Sequence, residues 1–317
     1  MKILHFTPQD SIPGFDAALL SAQQADEHLA TEDAKARCSL WWNHVPVVSG
    51  ETLGAIGHFQ AEHTEPGIAV LAEALEHLQK RGCTLAVGPM NGNTWRTYRL
   101  VTECGPEPTF FMEPRNPDFY QQILEAAGFA PLAEYTSSLV TDLSRRDDRS
   151  ARTLKRLRGN GITIRNLDPQ NFEADLRRIF DVSVQSFTGN YLYTELSEPA
   201  FLAQYIPYRD KIVPDLVFLA EHEGKPVGYL FALPDYAEAM RGEPIRTVIG
   251  KTLAVLPGRL CGGLGMVLTG MLHERAEALG YARLIHALQH QSNKVRNMSD
   301  FFGSVMRRYT LYSRSLR

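Results

Sequence analysis

Lys251-Thr-Leu-Ala-Val-Leu-Pro-Gly-Arg-Leu-Cys-Gly-Gly-Leu-Gly-Met-Val-Leu268 is the stretch on which the reading of this chain turns. An extended run ends near Val255, a glycine-rich turn follows, and an amphipathic pattern opens a helix predicted over residues 263–279. The first backbone N–H groups of a helix have no partner within it, so a turn of this kind can cradle a phosphate. Gly262, Gly263 and Gly265 permit close approach and dihedrals closed to other residues. The turn contains neither GxGxxG nor GxxxxGK[ST], which argues against a dinucleotide fold and against a P-loop NTPase.

Working outward, residues 283–288 read as the next strand, 295–302 as a helix and 305–312 as a final strand. Upstream, residues 215–220 and 226–233 form a hairpin across Glu221-His-Glu-Gly-Lys225, and 246–255 a third strand. Strands that are antiparallel early and parallel around helix crossovers make a mixed sheet. The first half repeats the pattern. It has strands at 39–48 and 53–60 joined at Ser49-Gly50-Glu51, a helix at 67–80 and a strand at 84–87. A helix at 120–127 closed by Gly128 and a strand at 132–140 complete it. Val70, Leu71, Ala74, Leu75 and Leu78 give the first of these helices one apolar face.

Both halves begin with a short strand and a Pro-Gln pair before a helix (Pro8-Gln9, Pro169-Gln170), and both end on a strand containing Tyr-Thr (Tyr135-Thr136, Tyr309-Thr310). This is the mark of a unit duplicated at a spacing of ~160–175 residues, in a chain of 317 residues that suits two domains of ~150 each. Between them residues 142–161 are densely charged and end in Gly159-Asn160-Gly161, with a short helix over 150–157. The expected organisation is therefore a domain at 1–143, a solvated, charged linker at 144–160 and a second domain at 161–317. The fold class is α/β (α+β), with each domain a mixed central sheet flanked by helices.

The strand–glycine turn–helix unit, with its flanking hairpin and following strand, resembles the GNAT superfamily of acyl-CoA-dependent N-acyltransferases. That family holds the CoA pyrophosphate on a loop of form [Gln/Arg]-x-x-Gly-x-[Gly/Ala]. Gly263 and Gly265 match its small positions; its polar position falls on Leu260, with Arg259 one place early. Asn293 matches the family Asn near the pantetheine arm, and the Tyr that many members carry seven residues later is here Asp300. In the first half Asn116 to Phe129 resembles the family's terminal helix. Residues 60–69, however, lack the glycines and carry Glu62 and Glu65 where a phosphate would sit. The resemblance thus implies a degenerate first domain and one acyl-CoA site in the second.

It also implies a reaction: direct attack of a small-molecule amine on the thioester of acetyl-CoA or another acyl-CoA. The backbone at Leu253 and Val255 would polarise the carbonyl. Arg259, Gly262, Gly263, Gly265 and Asn293 would hold the cofactor. Tyr309, Tyr312, Ser292 and Asn293 are the candidates around the acid; the base is open among His290, Glu221 and water. For the acceptor, the loop Val87 to Arg99 offers Asn93, Thr94, Trp95, Arg96, Tyr98 and Arg99, and Phe187 to Thr194 offers Tyr191 and Tyr193. A loop so dense in aromatic and polar groups is equally suited to packing between the domains. Two other readings differ in class: a non-catalytic acyl-CoA-binding protein, and a tandem GNAT-like enzyme that uses aminoacyl-tRNA.

A formal charge of −3 gives no global pull toward nucleic acid or an anionic membrane, and counts against the tRNA reading. Cys38, Cys83, Cys104 and Cys261 form no CxxC pair, and His58, His63, His77, His222, His273, His286 and His290 show no metal spacing, so no metal is expected. The first residues lack the apolar core of a signal peptide and no run reaches 18 apolar residues. A cytoplasmic protein, monomer or homodimer, is the expectation.

Overall fold

The computed structural model describes residues 1–10, 12, 17–291 and 295–317, the side chains of 17 and 295–298 excepted. Asn293 and Ser292 therefore lie outside the described residues.

The first half runs β1 (Ile3–Phe6), α1 (Ala17–Gln23), β2 (Glu27–Thr31), β3 (Ala36–Trp41), β4 (Leu53–Ala61), α2 (Thr64–Lys80), β5 (Leu85–Gly88), β6 (Leu100–Cys104), α3 (Tyr120–Ala126) and β7 (Ala130–Val140). Helix α4 (Asp148–Gly159) follows. The second half runs β8 (Ile162–Asn166), α5 (Phe172–Phe187), α6 (Glu198–Tyr205), β9 (Val217–His222), β10 (Lys225–Pro234), α7 (Tyr236–Met240), β11 (Thr247–Val255), α8 (Leu264–Ala278), β12 (Arg283–His290), α9 (Val295–Phe302) and β13 (Ser304–Ser315). The duplication predicted from sequence is visible as β1–β5 against β8–β12, α2 against α8, and β7 against β13.

Among the described residues, all thirteen strands join one mixed sheet. Its order is β1-β2-β3-β4-β5-β13-β7-β12-β11-β10-β9-β8, with β6 also on β13. The order is nearly palindromic, and its centre holds an exchange. The last strand of the second half, β13, lies against β5 of the first (Tyr312↔Gly88 to Ser315↔Leu85). The last strand of the first half, β7, lies against β12 of the second (Leu284↔Val140). β13 and β7 pair with each other, and Tyr309 faces Tyr135 in that register. The two Tyr-Thr signatures therefore sit opposite each other at the pseudo-twofold centre. Domains 1–143 and 161–317 do not close separately, because each completes the other's sheet.

A buried ion pair fixes the exchanged strand. Glu113 accepts from Arg307 Nε (2.9 Å) and Tyr309 OH (2.5 Å), and Arg307 also donates to the carbonyls of Glu107 (2.9 Å) and Pro108 (3.1 Å). Arg307 is 3% exposed, so this pair survives only because its polar atoms are satisfied.

The face of α2 predicted from the 3.6 period is the buried one, and packs with Leu40, Ile56 and Ile123. Helix α4 occupies the expected linker. It is capped by Asp147, whose side chain accepts from Arg149 N, and it is charged and solvated except for one packed face. Leu157 is wholly buried in the core beneath α8, with Leu154 beside it. Small residues let the helices approach: a side chain at Gly270 would meet Ser150, and one at Gly263 would meet Thr153.

Candidate functional site

β11 and β12 pair in parallel from Thr247↔Arg283 to Gly250↔His286 and no further, while β11 continues to Val255 paired with β10 alone. β12 turns away at a bulge: Leu288 adopts φ +58°, its N–H donates to Ser137 Oγ (3.0 Å), and its pairing with β7 slips a register there. The result is a wedge between the strands, with Leu253 and Val255 half-buried on its β11 side. The first half forms the same wedge beyond Ala55↔Val87 but fills it with its own chain. Met90 N donates to Ile56 O (2.8 Å) and Asn91 Oδ1 accepts from His58 N (2.9 Å). A Cβ on Gly57 would lie 2.5 Å from Met90 O. Helix α2 at this wedge starts with Glu65 in its first turn.

At the mouth of the second wedge, Gly263 caps α8 with φ +80° and no side chain satisfies the cap. The first amides of α8, including that of Gly265, have no partner within the helix and form the concavity that the sequence pointed to. A Cβ on Gly263 would stand 2.8 Å from Thr153 Cγ2, so only glycine fits beneath α4. The same helix brings a cation: Arg156 donates to the Gly262 carbonyl, and Arg259 is exposed on the preceding turn. Two arginines at a helix N-terminus suit a pyrophosphate. Arg156 was missed by the sequence reading, for it belongs to the segment taken as linker.

The C-terminal end of β12 is aromatic. His290 closes β12, with its ring 5.0 Å from that of Tyr135 and 6.1 Å from that of Tyr191. Tyr191 is 42% exposed. Burial, and next the charge of Arg99, lower the pKa of His290, leaving it neutral at pH 7 and able to accept a proton. Glu221 is unsuited to that role, because Arg165 (2.8 Å) and Arg178 (3.3 Å) hold it at the far edge of the sheet. Behind β12, a buried chain runs from His273 Nε2 to His286 Nε2 (3.0 Å) and from His286 Nδ1 to Ser299 Oγ (2.8 Å). Burial lowers the two histidines to about 4 and about 3.

The remaining predicted site residues have other work. Tyr309 is 0% exposed, its hydroxyl shared between Glu113 and Ser137, and Tyr312 lies in the core of the first half. Burial first, then Glu113, raises the pKa of Tyr309. Neither tyrosine reaches the wedge, so the acid role passes from them. Trp95 packs on Phe187, Tyr193 and Phe201, and its Nε1 donates to Thr194 O (2.7 Å). Asn93 Oδ1 accepts from Trp95 N (3.0 Å), and Arg96 donates to the carbonyls of Gln23 and Asn91. Trp95 and Tyr193 thus join the two halves, Asn93 and Arg96 bond within the first half, and Tyr191 contacts His290. Asp300 is exposed.

In the first half, His5, Glu27 and His77 bring ligand-type atoms within 4.8 Å of one another, from β1, β2 and α2, a convergence no local spacing shows. As they stand they pair with each other: Glu27 lies 2.8 Å from His5 and 2.9 Å from His77.

No protein-family model matches the chain. A GCN5-related N-acetyltransferase from Anabaena variabilis superposes over the whole chain and 73% of its own length at a TM-score of 0.54 and 10% identity. A tandem GNAT protein from the clavulanic acid biosynthesis pathway matches over 100% of this chain and 98% of that one, at a TM-score of 0.50 and 11% identity. The fold is a tandem GNAT fold. Among curated sequences, the bacterial ceramide synthase of Caulobacter vibrioides is 23% identical over 192 residues, 60% of this chain and 50% of that protein. Protein YghO of Escherichia coli is 20% identical over 240 residues, 68% of this chain and 61% of that protein. The chain thus spans between half and two thirds of the curated relatives it matches. Among the described residues no helix is long and apolar enough to cross a membrane.

Proposed function

We propose that this chain is an acyl-CoA-dependent N-acyltransferase with a single donor site, in the wedge between β11 and β12. The observation that carries this reading is the asymmetry of the two wedges: the first is filled by Met90 and Asn91, and the second has a glycine-capped helix at its mouth with Arg156 and Arg259 beside it. Acyl-CoA would supply an activated thioester. The amides of Gly263 and Gly265 and the two arginines would take its pyrophosphate, and β11 at 251–255 would align its arm. The acceptor nitrogen attacks the thioester carbon, the C–N bond forms and the C–S bond breaks. The proton lost by the amine goes to neutral His290, and the sulfur leaves as thiolate, protonated from solvent.

A small-molecule amine acceptor and an acetyl donor are the simplest substrates. The ceramide synthase relative places long-chain acyl-CoA donors in the same panel. Acyl transfer should be followed by thiol release from acetyl- and palmitoyl-CoA with an amine panel. Turnover abolished by Arg156→Ala with Arg259→Ala, and sharply reduced by His290→Ala, supports the assignment; turnover indifferent to both sinks it. Asp300 in place of the family tyrosine favours a second reading, a non-catalytic acyl-CoA-binding protein, which predicts binding without turnover.

A further inference from the structure

Arg99 presents a chemical problem that the fold alone does not solve. It is 7% exposed, yet its Nε and Nη1 have no hydrogen-bond partner, and among the described residues no carboxylate pairs with it. Its guanidinium lies 4.0 Å from the ring centre of Tyr98 and 4.2 Å from that of Tyr135, in the corner made by these two rings, which stand 5.5 Å apart and nearly perpendicular. Its backbone is held at φ +71°, a left-handed conformation unusual for arginine, and is fixed there by Arg99 N donating to Pro89 O (2.8 Å). Aromatic faces satisfy the flat sides of a guanidinium but leave the in-plane N–H groups without acceptors. A buried charge with free donors is costly, and the usual resolution is an anion that meets the fork edge-on.

The position matters as much as the charge. Tyr135 stacks on Arg99 with one face and contacts His290 at 5.0 Å, and His290 in turn meets the exposed Tyr191. Arg99 thus lies one ring away from the imidazole assigned above as the proton acceptor, close enough for its charge to lower that imidazole's pKa. We infer that Arg99 is an oxyanion-binding residue of the acceptor subsite, and that the acceptor is an amine that also carries a carboxylate, as an amino acid does. The carboxylate would meet the Nε and Nη1 edge of the guanidinium, leaving the amine at His290. This inference rests on the acyltransferase reading for its substrate and on Arg99 alone for its anion.

Two measurements test it. The first compares kcat/KM for matched acceptors with and without the carboxylate: alanine against ethylamine, and phenylalanine against phenethylamine. The carboxylated member should be preferred at least tenfold, through KM, and Arg99→Met should bring the ratio toward one, with Arg99→Lys between. The second needs no turnover: calorimetric binding of N-acetylphenylalanine against its amide, where wild type should favour the acid at least tenfold and Arg99→Met should not. Thermal denaturation checks that each variant is folded, and Arg99→Lys carries the comparison if Arg99→Met is not. Turnover without discrimination overturns the inference and leaves the acyltransferase reading intact. Discrimination in binding without turnover upholds the anion site and removes the reaction. An acid preference unchanged in Arg99→Met, or no binding of either compound, overturns the anion site.

Discussion

Replacing Glu113 by alanine tests whether the exchange of β7 and β13 is held as described. One carboxylate oxygen accepts from Arg307 Nε and Tyr309 OH, and the other accepts from Phe110 N at 3.2 Å. Losing one partner of a buried pair costs about 3–5 kcal/mol, because the survivor is left charged and unpaired. Here Arg307 keeps the Glu107 and Pro108 carbonyls, and Tyr309 keeps Ser137 at 3.0 Å. The lower end of that range, about 3 kcal/mol, is therefore expected. Glu113→Gln retains shape and acceptor and should cost about 1–2 kcal/mol. Glu113→Leu with Arg307→Met removes both charges and should return to within about 1 kcal/mol of wild type. Urea unfolding, with midpoint and slope both followed, supplies the double-mutant cycle. A loss under about 1 kcal/mol for Glu113→Ala, or a double variant as unstable as the sum of its parts, would refute the reasoning.

Gly263→Ala should lose about 1–2 kcal/mol, from a positive φ and the contact with Thr153, and should weaken acyl-CoA binding at least tenfold. Thr153→Ala in the same chain should restore only the part due to contact, and full restoration would show that the backbone is not strained. His273 and His286 have folded pKa values below their unfolded value near 6.5, so their neutral forms favour folding above that pH, and the contribution is lost as pH falls toward about 4 and about 3. Each should remove roughly 1 kcal/mol of stability between pH 6 and pH 5. His286→Leu should flatten the urea-midpoint profile over that interval, and an unchanged slope would contradict the burial argument.

Much of the fold is written in local pattern. The helix face at Val70 to Leu78, the hairpin at Glu221 to Lys225 and the strand–glycine–helix unit at 251–268 all appear where periodicity and turn residues place them. β2 was not legible: every residue of Glu27–Thr31 is buried, so no alternation marks it, and its polar Glu27 and His28 are hidden by partners on other elements. β6, only five residues long, pairs with β13 some 200 positions away, and the strand exchange is likewise a matter of long-range partners. Helix α4 read as linker because eleven of its twelve residues are exposed or half-buried, which conceals the contacts of Leu157 and Thr153. The proposed donor end could be read from the glycines. The acceptor end could not: Tyr98, Arg99, Tyr135 and His290 come from both halves. Only the unpaired guanidinium, visible in three dimensions, distinguishes Arg99 from the neighbouring Arg96, which donates to backbone carbonyls.

Calorimetric titration of the full chain with acetyl-CoA, and then palmitoyl-CoA, measures the central claim directly. One acyl-CoA per chain is predicted, weakened at least tenfold by Arg156→Ala with Arg259→Ala, because the glycine-capped helix and its arginines stand at the wedge of the second half and the wedge of the first is filled by Met90 and Asn91. Two sites per chain, no binding at millimolar concentration, or one site indifferent to both arginines would contradict it.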